Sequence, residues 1–204
     1  FDCNKIAVDE KITSEEAGRQ VRYSSFAKAA QDLVDNGIKR SNIKIAVAQN
    51  ADDQSETILF RILRGVGTDG LKGISYMRND EQGNTIIRPL LDVCRKEIEE
   101  FCEENNLNPR IDKTNLQPLY TRNKIRLNLI PYLQREYNEN IKETIARLGK
   151  ISSIDSDYFF HETKKIYEEA IIEKESNRIL LNGDILKSVH KAIRHRVMSM
   201  ALND

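Results

Sequence analysis

Paired cysteines, a surplus of either charge and long apolar runs are all missing from this sequence, and each absence removes a class of function. Cys3, Cys94 and Cys102 form no Cys-x-x-Cys pair, and His161, His190 and His195 stand far from them, so zinc and iron–sulfur sites are not expected. An odd number of cysteines, with no signal-like or membrane-spanning apolar stretch, points to a reducing cytoplasm and no membrane partner. Lys plus Arg, 32, balances Asp plus Glu, 32, so no global field argues for nucleic acid or lipid. Repeats and low-complexity tracts are absent too. There is no initial Met, and the opening Phe1-Asp2-Cys3 reads as an entry in mid-domain, so the chain is expected to be a fragment.

What is present suits one or two domains, since 204 residues can bury a real core. The most informative stretch runs from Ala46 to Thr57. Ile43 to Ala48 is a short β-branched run of the length of a buried parallel strand, and Gln54 to Arg64 places Ile58, Leu59, Ile62 and Leu63 at helical spacing. Asp52 and Asp53 therefore sit where a strand hands over to a helix, the crevice in which open α/β sheets bind nucleotides and their metals. Asp53 and Glu56 also have the spacing of a capping box, Asp53 accepting from first-turn amides and Glu56 reaching back. Capping needs only one of the two aspartates. Asp52 is left over, and two adjacent carboxylates repel unless a cation joins them, which favours a magnesium or substrate role for Asp52.

Around this stretch the sequence alternates strand and helix, the pattern of a parallel sheet covered by helices. Lys5 to Val8 reads as a strand. Thr13 and Glu16 then begin a helix with Ala17, Val21, Ala29, Leu33 and Val34 as its apolar positions, ended by Asn36-Gly37, and Arg19 and Arg22 project from it. Arg64 to Gly73 is rich in glycine, but Leu71 occupies the place of a Walker lysine, so a mobile connection is the better reading. Thr85 to Leu91 is a second strand, with Pro89 near its end, and Asp92 caps a helix from Val93 to about Asn105 whose Ile98, Phe101 and Cys102 face inward.

From Arg110 to Asn128 the cations Arg110, Lys113, Arg122, Lys124 and Arg126 oppose the single anion Asp112. Thr121 to Ile130 is predicted as a helix that stops before Pro131, aligning Arg122 and Arg126 at i and i+4. Such a pair suits phosphates, of a nucleotide or of an RNA backbone, or is a solvated basic face. Beyond Glu139, Ile141, Ile145, Leu148, Ile151, Ile154 and Tyr158 mark a long amphipathic helix to roughly Ile172. Arg178 to Leu181 is a short strand or loop and Asn182-Gly183-Asp184 a capped turn. A last helix turns Leu186, Val189, Ile193, Val197 and Met200 inward and leaves Lys187, Lys191, Arg194 and His195 outside.

Taken together the motifs resemble the tRNA(Ile)-lysidine synthases, a family of PP-loop ATP pyrophosphatases. The likeness is carried by Ser14 to Tyr23, by Ala48 to Thr57 with its Asp-Asp-Gln-x-Glu-Thr core, and by Arg64-Gly65-x-Gly67-x-x-Gly70-Leu71-x-Gly73. It continues through Arg88-Pro89-Leu90-Leu91 and through Asp112-x-x-Asn115 followed by Tyr120-x-Arg122-Asn123-x-Ile125-Arg126. The resemblance implies an α/β fold, the later part of a PP-loop (adenine nucleotide alpha hydrolase-like) domain over residues 1–136, its parallel sheet flanked by helices. A helical linker and tRNA-contacting domain over 137–204 would follow it. It also implies a reaction in which ATP adenylates the carbon-2 oxygen of the wobble cytidine in a CAU anticodon and free L-lysine displaces AMP to form lysidine. By similarity Arg19, Asp53 and Glu56 would serve the nucleotide, Asp52 would hold magnesium against the phosphates, and Arg122 and Arg126 would steady triphosphate or tRNA.

Two features depart from the family. Gln49-Asn50 stand where a histidine is common, and the Ser-Gly-Gly-x-Asp-Ser phosphate loop occurs nowhere in the sequence. The resemblance places that loop upstream of Phe1, so the fragment itself is expected to be inactive, and a sheet lacking its first strand would present an apolar edge that favours a homodimer. A PP-loop tRNA thiolase is the nearest rival, though Cys94 and Cys102 give no metal or persulfide pair. A non-catalytic tRNA-binding module is the rival from outside the enzymes.

Overall fold

A computed structural model describes residues 2–110 and 121–204. Two compact units divide the chain, one made of Phe1–Gln54 and Ile74–Ile111, the other of Ser55–Gly73 and Asp112–Asp204.

The first unit begins with two packed helices, α1 (Cys3–Glu10) and α2 (Ser14–Asp35). The strand expected at Lys5 to Val8 is thus a helical turn. Asp2 Oδ1 accepts from the Lys5 amide at 3.2 Å, and Lys11, at φ +55°, ends the helix in the left-handed region, with the Ile12 amide donating to the Ala7 carbonyl. Helix α2 starts and stops as its sequence indicates: Thr13 Oγ1 accepts from the Glu16 amide at 3.2 Å, and Asn36 caps its end. Its buried face differs, however. Ala17, Ala27 and Ala30 point inward, while Leu33 is 43 % exposed and Ala29 faces solvent.

Strands β1 (Lys44–Ala46), β2 (Met77–Asn79) and β3 (Thr85–Ile87) form a sheet in the order β1-β3-β2. The β1–β3 pairing is parallel, as expected, with Ile45 opposite Ile86; β2 runs antiparallel to β3, so the sheet is mixed. Both expected strands are shorter than read, and β3 gives way to a turn at Arg88-Pro89, where proline has no amide to donate. Fully buried Ile86 makes β3 the centre of this core.

Asp80 closes the β2–β3 hairpin. Burial works against its charge, yet hydrogen bonds from the Asn84 side chain, the Asn84 amide and the Gln82 amide hold its carboxyl below the ordinary carboxylate value. A depressed folded value means that this contribution is present above the unfolded pKa and lost as pH falls through the folded one. Protection of the Gln82 and Asn84 amides, relative to their intrinsic exchange at each pH, is therefore expected to fall on acidification, and Asp80→Asn to remove that pH dependence; identical profiles would deny Asp80 the role.

Helix α5 (Arg95–Glu104), which follows α3 (Ala51–Leu63) and α4 (Thr68–Leu71) in the chain, completes the unit. The cap assigned to Asp92 lies elsewhere: Cys94 is the N-cap residue, Glu97 Oε2 accepts from its amide at 2.7 Å, and Asp92 accepts instead from the Tyr76 hydroxyl. Phe101, expected inside, is 59 % exposed.

Helix α3 (Ala51–Leu63) leads the chain from the first unit into the second. There the glycine-rich connection is ordered by a side chain. Arg61 donates to the carbonyls of Gly70 and Gly73 at 2.8 and 2.7 Å, around the short helix α4 (Thr68–Leu71). The basic segment is helical past its proline: α6 (Thr121–Lys124), a π-helical stretch (Ile125–Leu129) and α7 (Ile130–Glu136) follow without a break. In the π stretch the Ile130 amide reaches back to the Ile125 carbonyl, and Pro131 then falls in the first turn of α7, just after the α-type ladder has been interrupted.

The long helix is present as α8 (Ile141–Ala170), but turned. Ile151, Ile154 and Tyr158 are 53, 70 and 63 % exposed, and the buried face is Ile145, Gly149, Thr163, Tyr167 and Ala170, which packs toward α10 (Lys191–Leu202) and other helices of this unit. A hairpin of β4 (Ile171–Glu175) and β5 (Arg178–Leu181) follows, then α9 (Gly183–Ser188), capped by Asn182. The expected single last helix is broken at Val189, with His190 capping α10. Arg194 is not part of an outer basic face, since it is half-buried and donates to the carbonyls of Lys187 and Val189 at the break. Among the described residues no helix is long and apolar enough to cross a membrane.

Candidate functional site

The strand-to-helix crevice is built by polar side chains of the first unit. Strand β1 ends at Ala46, four residues of connection follow, and α3 starts at Ala51 with its amide on the Val93 carbonyl. Asn50 is therefore the cap: its Oδ1 accepts from the Asp53 amide at 3.0 Å, and Asp53 Oδ2 accepts from the Asn50 amide at 3.0 Å. This reciprocal pair is a capping box three residues earlier than the one read from Asp53 and Glu56. Asp53 is its returning acid. Asp52 stands beside it in the first helical turn, half-buried, where the partial positive charge of the helix end favours an anion.

The residues in place of the family histidine have structural duties. Asn50 caps, and Gln49 Oε1 accepts from Arg88 Nε. Arg88 is 5 % exposed and also donates to the Ser75 carbonyl at 2.6 Å. Burial pushes its guanidinium below its ordinary value, the nearby charges of Arg78 and Arg19 act in the same direction, and Tyr23 opposes them. Gln54, buried as well, exchanges hydrogen bonds with both the amide and the carbonyl of Ile74 at 2.6 and 3.1 Å, fixing where the chain re-enters this unit. Sequence reasoning overlooked Gln54 and used Arg88 only as a family letter. Its place four residues before Ile58, on the apolar stripe of the helix, was the available signal for Gln54.

The second unit holds the other group. Glu56 is 1 % exposed, and its carboxylate accepts from two arginines four positions apart. Arg122 Nε lies 3.1 Å from Oε2, while Arg126 places Nε 2.5 Å from Oε1 and Nη2 3.0 Å from Oε2. The Arg126 contact is the two-pronged fork that only a guanidinium makes with a carboxylate. Next to Glu56, fully buried Ser55 donates to the Lys142 carbonyl at 3.0 Å, tying α3 to the first turn of α8. Helical periodicity puts Arg122 and Arg126 on one face, as read; their partner was not read. Both guanidiniums stay about a third exposed, with side-chain exposures of 32 and 37 %, so the face they present is fixed from beneath and reachable from solvent.

Asp52, Asp53 and Arg19 belong to the first unit and Glu56, Arg122 and Arg126 to the second. Asp112, Asn115 and Tyr120, which carry part of the family likeness, lie outside the described residues. Among the described residues no group of three or more His, Cys, Asp or Glu side chains could hold a metal by itself.

A family described as PP-loop domain matches residues 1–133. Among curated relatives, the tRNA(Ile)-lysidine synthase of Clostridioides difficile (strain 630) is 44 % identical over 194 residues, covering 95 % of this chain and 40 % of its own. That of Clostridium tetani (strain Massachusetts / E88) is 41 % identical, covering 100 % of this chain and 41 % of its own, and that of a Nostoc species (strain PCC 7120) is 30 % identical, covering 95 and 58 %. The chain thus spans about two-fifths of the clostridial relatives' length.

Proposed function

Since the chain belongs to the PP-loop domain family, we propose that the protein it represents uses ATP to join L-lysine to carbon-2 of the wobble cytidine of a CAU-anticodon tRNA(Ile), forming lysidine. The observation that carries this reading is the buried Glu56 carboxylate gripping Arg122 and Arg126, a device that sets two guanidiniums before any ligand arrives. The names of its relatives support it.

In the proposed reaction the carbon-2 oxygen of cytidine attacks the α-phosphorus of ATP and pyrophosphate leaves. A lysine amine then adds to the activated carbon, loses a proton, and AMP departs. Charge on the transferring phosphoryl group grows and moves between oxygens, and fixed cations stabilise it without reorganising. Arg122 and Arg126 supply that, held in place by Glu56. Asp52 is one carboxylate, too few for a protein-made metal cage but fitting magnesium held mainly by nucleotide phosphates and water, to which one or two carboxylates are the usual protein contribution. Asp53 supports Asp52 by fixing the helix start, and Arg19 serves phosphate.

Lysidine formation from CAU-anticodon tRNA(Ile), ATP and labelled lysine by the complete protein is the direct test. Binding of that tRNA without lysine transfer would favour the non-catalytic module, and sulfur transfer in place of lysine the thiolase. Arg126→Ala is expected to weaken ATP or tRNA binding about tenfold, the worth of one charged hydrogen bond. Unchanged affinity for both would return Arg126 to a purely structural part.

A further inference from the structure

On the first unit a second set of arginines gathers about one ring. Arg19 on α2 places its guanidinium carbon 5.2 Å from the centroid of Tyr23, and Arg78 on β2 places its own 5.5 Å from the same centroid. Arg88 is buried, and the charges of Arg78 and Arg19 add to the burial that pushes its guanidinium below its ordinary value, while Tyr23 opposes them. Two like charges at one phenol repel each other and add to the field on Arg88, and stacking on the ring offsets little of that at exposed positions. Asp80 acts on Arg78, but its oxygens already accept hydrogen bonds from Gln82 and Asn84. Arg19 and Arg78 are exposed while Tyr23 is half-buried, so the ring is a fixed support and the guanidiniums are open on the solvent side.

We propose that Arg19 and Arg78, stacked on Tyr23 and backed by Arg88, form a seat for a phosphate group, in which Arg78 is a ligand-binding residue. Planar guanidiniums laid on an aromatic face lose little freedom when they bind and present paired donors to phosphate oxygens. The seat joins two elements distant in sequence, since Arg19 and Tyr23 come from one helix and Arg78 from the hairpin edge strand. The inference rests on the reading that ATP and tRNA are ligands, and the phosphate is that of one or the other.

The test uses Arg78→Ala and Arg78→Glu in the complete protein, with tRNA affinity measured across a salt series and ATP affinity measured separately. Arg78 is exposed on a short strand, so both variants are expected to melt as the wild type does. A seat for RNA phosphate predicts about fivefold weaker tRNA binding for Arg78→Ala, a salt slope smaller by about one, a greater loss for Arg78→Glu, and ATP affinity within about twofold. A seat for the nucleotide predicts the loss in ATP affinity and none in tRNA affinity. Unchanged affinity for both ligands in both folded variants would overturn the seat. Inorganic tripolyphosphate keeps the two readings separable: a wild type that forms no lysidine but loses tripolyphosphate binding on Arg78→Glu would retain the seat and discard the ligase.

Discussion

Replacing Glu56 by glutamine is expected to lower the stability of the unit that contains it by about 2–4 kcal/mol and to abolish activity with it. The carboxylate is 2 % exposed at its side chain, and its loss removes the anion that two guanidiniums share. Breaking a fully buried ion pair from one side costs about 3–5 kcal/mol; the figure here is smaller because both arginines can recover some hydration. Removing either arginine alone should cost less, since the other still faces the carboxylate. A double-mutant cycle on Glu56 and Arg126, read by urea unfolding, measures the coupling. Full stability in Glu56→Gln would mean that the three side chains do not interact as placed.

Asp52→Asn is expected to do the opposite, leaving the fold and removing the reaction. The amide keeps the shape, and the lost interaction of a charge with a helix amino end is worth about 0.3–1 kcal/mol. Under the proposed function a carboxylate that helps hold magnesium on triphosphate is worth far more to the transition state, and lysine incorporation by the complete protein should fall by at least about a hundredfold. Asp53→Asn is the control, because a carbonyl oxygen can still accept from the Asn50 amide. Wild-type turnover in Asp52→Asn would remove that residue from the chemistry, while equal losses in both variants would point to the helix start instead.

How much of this could be read in letters depended on whether a residue's job was local. The caps of α2, the parallel pairing of two β-branched runs and the long helix α8 follow from spacing and were legible. The exposed strand β2 carries no alternation to betray it, and Asp2 and Lys11 turn an apolar run into a helix by acting outside it. On α8 two apolar stripes wind along the same thirty residues, and periodicity favoured the one with larger side chains although the other, lined by Gly149 and Ala170, packs closer. At the site, Arg122 and Arg126 were visible as a pair, but Glu56 stands 66 and 70 positions away from them, and only the folded chain shows that it serves them. The capping box slipped by one motif length because Asn50-Ala51-Asp52-Asp53 and Asp53-Gln54-Ser55-Glu56 have the same form, and the end of β1 decides between them.

Ile125 and Ile130 are both 2 % exposed although they stand five positions apart. On a regular α-helix five steps carry a side chain about 500°, which would leave the two roughly 140° apart and only one of them able to enter the core. The widened turn takes up that difference. Deleting one residue between them would leave four steps, about 400°, so that on an ordinary helix both isoleucines would stand within about 40° of one face; the widened turn is how the segment holds one residue more and still buries both. The length of this segment is thus as much a part of its design as its letters.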